Sequence, residues 1–170
     1  YYWQPFTNLD FTVRMGREGC STCANRITIR GAVDPLISEH NWSSYYAFQY
    51  TNGGSFSVFK RVGGGSSIAL QGWTPSAAIV QGGYNTLRVV ANDGNLYYYI
   101  NGTLVWSGSD SSLTSGLVGF GLYRDMYSSN NALVVDYATL AGASAALEQA
   151  LFIPEQAPAA LPGGSEEMSP

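Results

Sequence analysis

Residues 84–122 read YNTLRVVANDGNLYYYINGTLVWSGSDSSLTSGLVGFGL. Apolar and polar residues alternate through Leu87–Ala91, Leu96–Ile100 and Thr103–Ser107, and a turn closes each run. Asn92-Asp93-Gly94 separates the first two runs and Asn101-Gly102 the second two. Asp-Gly and Asn-Gly tolerate the positive φ of a tight hairpin, so the stretch reads as an antiparallel meander. That reading sets the fold class, although almost nothing in the stretch looks reactive.

Outward from it, the pattern continues as strand after strand. Trp3–Phe6, Asp10–Gly16 and Arg26–Arg30 precede a longer connection over residues 31–44, which holds Pro35 and the sole His40. Tyr45–Tyr50 and Phe56–Val62 flank the turn Thr51-Asn52-Gly53-Gly54, and Ser67–Leu70 follows Gly63-Gly64-Gly65. Residues 73–80 suit a short helical turn; Gly116–Tyr123 and Leu133–Leu140 complete the set. Turn signals every 8–12 residues or so indicate an all-β sandwich or barrel. After Leu140 the composition turns to Ala, Pro and Glu. We therefore divide the chain into a β-domain over 1–141 and a helical or extended tail or linker over 142–170. Within the tail, Leu151-Phe152-Ile153 is an apolar patch suited to docking or assembly.

Composition narrows the function classes. Charged residues make up 12% of the 170, the net charge is −4, and there are 20 Gly and 12 Tyr. Such a chain suits an extracellular or cell-surface β-protein, and eight scattered basic residues make no phosphate-binding stripe. Nucleic acid is not an expected partner. No apolar run is long enough to span a membrane. The chain opens on Tyr1-Tyr2-Trp3 without an initiator Met, which we read as the mature or trimmed product of a longer precursor. Cys20 and Cys23 form a Cys-x-x-Cys pair. It could be half a zinc site, a redox pair, or a small disulfide pinning a loop. Zinc lacks further Cys and His ligands, and the redox motif lacks its helix, so a disulfide is expected.

The pieces YAFQY (46–50), SFSVFKRVGGG (55–65), WTPSAAI (73–79), NTLRVVANDGNLYYYINGTLV (85–105), SGLVGFGLY (115–123) and VVDYATL (134–140) together resemble the concanavalin A-like lectin/glucanase superfamily. They are most similar to laminin-G-type modules of secreted bacterial proteins. The resemblance implies a jelly-roll sandwich of two antiparallel sheets. It also implies an early strand upstream of Tyr1–Phe6, so an open sheet edge, or a tail covering it, is expected. Many modules of this kind hold a structural Ca²⁺ with a carboxylate near the last strand. Asp136 matches that position, with Asp10 as a candidate neighbour.

The superfamily includes glycosidases, whose strands carry acidic residues at alternating positions to flank the scissile bond. This chain has no such strand: Asp10, Asp93, Asp110 and Asp125 stand singly, and Glu148, Glu155, Glu166 and Glu167 lie in the tail. His40 has no nucleophile elbow to serve. Hydrolysis is therefore not expected. Sugar recognition needs aromatic faces, amides and guanidinia. Strand alternation places Tyr46, Phe48, Tyr50, Leu96, Tyr98 and Ile100 inward. It leaves Tyr45, Gln49, Arg88, Tyr97 and Tyr99 as the outward candidates for a glycan or protein partner. Asn41 and Asn101 begin N-x-Ser/Thr sequons, the second already accounted for as a turn. The expected function is a secreted, non-catalytic module binding glycans or cell-surface partners. The alternative is a structural subunit of an extracellular filament or surface assembly, with Leu151, Phe152 and Ile153 supplying strand addition or tail docking.

Overall fold

The computed structural model of the chain describes residues 2–32, 42–123 and 131–142. Eleven strands occupy them. The first five are β1 (Tyr2–Phe6), β2 (Leu9–Glu18), β3 (Asn25–Ala32), β4 (Ser44–Tyr50) and β5 (Ser55–Arg61). Then come β6 (Ile68–Pro75), β7 (Asn85–Asn92), β8 (Asn95–Ile100), β9 (Thr103–Ser109), β10 (Gly116–Leu122) and β11 (Ala132–Ala141). No described residue is helical. The helical turn expected over 73–80 is instead the end of β6 and a turn closed by Ile79 N–H on Ser76 O.

The strands form two antiparallel sheets, ordered β1-β10-β3-β4-β5-β6 and β11-β2-β7-β8-β9. The fold is a jelly-roll sandwich. The meander read first in the sequence is β7-β8-β9, with Asp93 and Asn101 in left-handed turns at φ 48° and 50°. Asn101 stabilises its turn by accepting from Thr86 N–H and donating to Ala78 O and Asn85 Oδ1, each at 2.8 Å.

Alternation decides what is buried. From the six-stranded sheet Ile27, Ile29, Tyr46, Phe48, Tyr50 and Val58 point inward; Leu9, Phe11, Val13, Leu87, Val89, Leu96, Tyr98 and Ile100 meet them from the five-stranded sheet. Phe48 and Tyr98 join the two layers edge to face at 5.4 Å, the favoured geometry for aromatic rings. Strands bearing this period bury one face and leave the other for solvent or ligand.

Candidate functional site

The outer face of the six-stranded sheet carries a groove. On β3, Ile27 and Ile29 face the core, so Arg26 and Thr28 face out. Across the ladder Gly119 pairs with Thr28 and Gly121 with Arg26, so both outward positions of β10 beside them are glycine. A Cβ built on Gly121 meets nothing within 4 Å. Glycine in a strand interior gives up packing and suits a place where another molecule approaches the backbone. With Trp42 and Tyr45 on the other side, these residues enclose about 260 Å³ of open space.

A bulge builds the aromatic wall. Ile29 pairs with Tyr46 and Ala32 with Ser44, so Arg30 and Gly31 together oppose Tyr45. Arg30 sits at φ 50°, which turns its side chain away from the groove. The residue is 1% exposed, and its guanidinium donates to Thr7 O, Asp93 O and Leu113 O at 2.6–3.1 Å. Gly31 is left bare beneath Trp42, whose ring would lie 1.8 Å from a Cβ at that position. Tyr45 is 6% exposed, with its hydroxyl 3.4 Å from Ser67 Oγ and the Arg26 guanidinium 5.6 Å from its ring centre. Gln49 stands beside Arg26 and Ser57 on the same face. An indole, a phenol, a guanidinium and a threonine hydroxyl around two glycines, with Phe120 and Leu122 completing the lining and Gln49 beside it, suit a polyhydroxylated ligand with one apolar face.

The opposite outer face is built differently. Arg88 lies across from Tyr99 and Val90 across from Tyr97 on the five-stranded sheet. Arg88 gives Asp10 three hydrogen bonds at 2.6–3.1 Å and covers the Tyr99 ring at 5.2 Å. These bonds to Asp10 raise the guanidinium pKa above its already high value. Arg14 repeats the arrangement, ion-paired with Asp136 and 4.8 Å over Tyr84. The five outward candidates therefore do not form one site. Tyr45 and Gln49 share the groove face, whereas Arg88, Tyr97 and Tyr99 lie on the far side of the sandwich. Alternation gives a residue's side of its own strand and is silent on which sheet that strand joins. Arg26, Thr28, Trp42, Gly119 and Gly121 were missed. Glycine at alternate positions in GLVGFGL was the signal that could have found part of the set.

Asp10 and Asp136 do not fit one calcium ion. Asp10 pairs with Ala141, while Asp136 bulges beside Arg14, four residues along β2 and roughly 13 Å away at a strand's rise. Each carboxylate is already held by an arginine. The expected neighbourhood of the two fails because β11 runs its length antiparallel to β2. No cluster of three His, Cys, Asp or Glu occurs among the described residues. Cys20 and Cys23 are disulfide-bonded with Cα atoms 5.5 Å apart, and Gly53 N–H donates to Ser21 O within that loop. The Asn101 amide, the sequon acceptor, is committed to its turn. Asn41, Leu151, Phe152 and Ile153 lie outside the described residues.

One polar cluster closes an end of the sandwich. Asp110 is ion-paired with Lys60, accepts from the Tyr46 hydroxyl at 2.6 Å and from Ser112 N–H at 2.9 Å. Burial works to raise the Asp110 pKa, but these partners outweigh it and hold the carboxyl well below the usual carboxylate range. Burial, then the bond to Asp110, pushes the Tyr46 hydroxyl up to about 12. The cluster ties the β9–β10 connection to β4 and β5 and presents no free acid–base pair.

No family model matches the chain, and no curated protein matches it in sequence. Solved structures do match its fold. A carbohydrate-binding module, CBM66 from Bacillus subtilis, aligns with 81% of this chain and 76% of its own at TM-score 0.63 and 14% identity. Sheep galectin-11, solved in complex with glycerol, aligns over 82% and 96% at TM-score 0.53 and 10% identity. The Bacillus licheniformis β-glucanase aligns over 76% and 56% at TM-score 0.52 and 14% identity. These likenesses show the jelly-roll fold, which binding modules and enzymes among the matched structures share.

Proposed function

We propose that this chain is a secreted, non-catalytic module that binds a glycan in the groove over Gly119 and Gly121. Within the concanavalin A-like fold we place it nearest the laminin-G-type modules, on the strand motifs quoted above. The observation that carries the reading is the glycine floor beside Arg26 and Thr28, walled by Trp42 and Tyr45. Sugar rings present C–H faces to aromatic rings and hydroxyls to guanidinium and hydroxyl groups, and bare backbone lets them approach. A named carbohydrate-binding module and a galectin share the fold, which adds to the same reading.

Two further points support binding over turnover and export over retention. Among the described residues the carboxylates are Asp10, Glu18, Asp93, Asp110 and Asp136. Asp10 and Asp136 belong to the opposite sheet and Asp93 and Asp110 to loops, so the groove face has no pair of them at hydrolytic spacing. The Cys20–Cys23 disulfide suits an oxidising compartment.

The test is a glycan array followed by calorimetry on hits. Gly121→Leu should weaken binding at least about tenfold while the melting temperature holds, because the new side chain fills open groove and not core. Tyr97→Ala and Tyr99→Ala should bind as the parent does. Binding that survives Gly121→Leu and disappears with Tyr97→Ala or Tyr99→Ala would move the site to the other sheet. Release of sugar fragments from a bound glycan would overturn the non-catalytic part alone.

A further inference from the structure

A second concavity lies on the inner side of β10, where the two sheets part. The cleft measures about 470 Å³ and is lined by Phe6, Phe11, Val118, Phe120, Ala138 and Leu140, none of them charged. It is an uncovered piece of the core. Phe120 pairs with Ile27, so both point inward; Ile27 is 0% exposed and Phe120 is 45% exposed. The last described pairing of β1 with β10 is Tyr2 with Val118, which leaves Phe120 past its shelter. Across the gap the inward face of β11 is Ala138 and Leu140, opposite the buried Val13 and Phe11.

We infer that this cleft seats the chain's own C-terminal segment, anchored by Leu151, Phe152 and Ile153. The chain leaves β11 at Ala141, immediately after the lining residues Ala138 and Leu140, and continues to Pro170. The nine Cα–Cα steps from Gly142 to Leu151 reach up to about 30 Å, and the cleft begins at Leu140, two residues before Gly142. The lining is uncharged and mostly apolar, with Thr139 its one hydroxyl, and Leu151-Phe152-Ile153 is the longest run of large apolar residues beyond β11. Tethering gives such a segment an effective concentration of order millimolar, far above that of a second copy at working concentrations. The cleft and the groove share Gly119 and Phe120, but the inference does not depend on glycan binding, since trapping reads the position of the tail and not a bound sugar.

Disulfide trapping in the full-length chain tests it. Phe120→Cys combined with Phe152→Cys should close an intrachain bridge in dilute solution at least about tenfold faster than Leu104→Cys combined with Phe152→Cys. Leu104 is comparably exposed but sits on β9, at the opposite margin of its sheet. Equal rates would overturn the inference, and disulfide-linked dimers would overturn it in favour of a neighbouring copy. Because cysteine at 120 could itself loosen the seat, Phe152→Glu provides a second reading. It should raise binding of an apolar dye severalfold, and unchanged dye binding would equally refute the seat.

Discussion

Removing the Arg30 side chain separates two roles that the bulge combines. The guanidinium donates to three carbonyl oxygens, those of Thr7, Asp93 and Leu113, in connections that belong to both sheets. Hydrogen bonds from a charged donor contribute about 1.5–3 kcal/mol each, so three stranded acceptors cost roughly 5–9 kcal/mol gross. Returning a buried guanidinium to water recovers several kcal/mol of that. Burial lowers the Arg30 pKa from its high reference, although a guanidinium stays protonated in proteins. Arg30→Ala should therefore lose about 2–4 kcal/mol in urea unfolding, with a fall in melting temperature of roughly 6–12 °C for a domain of this size. Arg30→Gly isolates the backbone. In an ordinary strand glycine is about 0.5–1 kcal/mol worse than alanine. At φ 50° an L side chain is strained by about 1–2 kcal/mol, so here the order inverts and Arg30→Gly should be the more stable by about 1 kcal/mol. A loss below about 1 kcal/mol for alanine, or alanine outlasting glycine, would refute the clamp and the strained bulge respectively.

Three other perturbations read different parts of the fold. The depressed Asp110 pKa gives stability that is present above the unfolded aspartate value near about 4 and lost as pH falls below it. Asp110→Asn should accordingly flatten the decline in unfolding free energy between neutral pH and pH 2, and an unchanged slope would contradict the assignment. Tyr98 is fully buried, and its hydroxyl has no hydrogen-bond partner among the described residues. Tyr98→Phe should then stabilise by about 1 kcal/mol in the same assay, where a loss would mean that a water serves the hydroxyl. The Cys20–Cys23 loop is so short that the chain-entropy model allows about 2 kcal/mol at most, so Cys20→Ser with Cys23→Ser should fold, with a loss no larger than that.

The sequence carried the strands, their hairpins and their inward residues well, because each of these depends on local period and turn chemistry. Tyr46, Phe48, Tyr50, Leu96, Tyr98 and Ile100 are all buried, as alternation requires. What it could not carry is pairing over long separations. Thr28 meets Gly119 across a ladder joining residues some ninety positions apart, and no window of sequence contains both. The same gap explains why Tyr45 and Arg88 stand in one outward set without sharing a face. Each points outward from its own strand, but β4 and β7 belong to different sheets with the core between them.

The physical contrast between the two outer faces bears most on where a ligand belongs. On the five-stranded sheet, arginine, carboxylate and tyrosine satisfy one another, with Arg88 spending its donors on Asp10 and its planar face on Tyr99. A sugar binding there would have to displace an existing ion pair and an existing ring contact before gaining its own. On the six-stranded sheet the sequence leaves material out, with glycine at 119 and 121 beside Thr28 and Arg26, and glycine at 31 where the Trp42 ring takes the place of a side chain. Those omissions reduce the packing of β10 and β3, and the fold offsets them elsewhere, in the Arg30 clamp and the Tyr46–Asp110–Lys60 cluster at the same end. The proposed glycan would regain on that face the contacts that the glycines give up, without first breaking an ion pair.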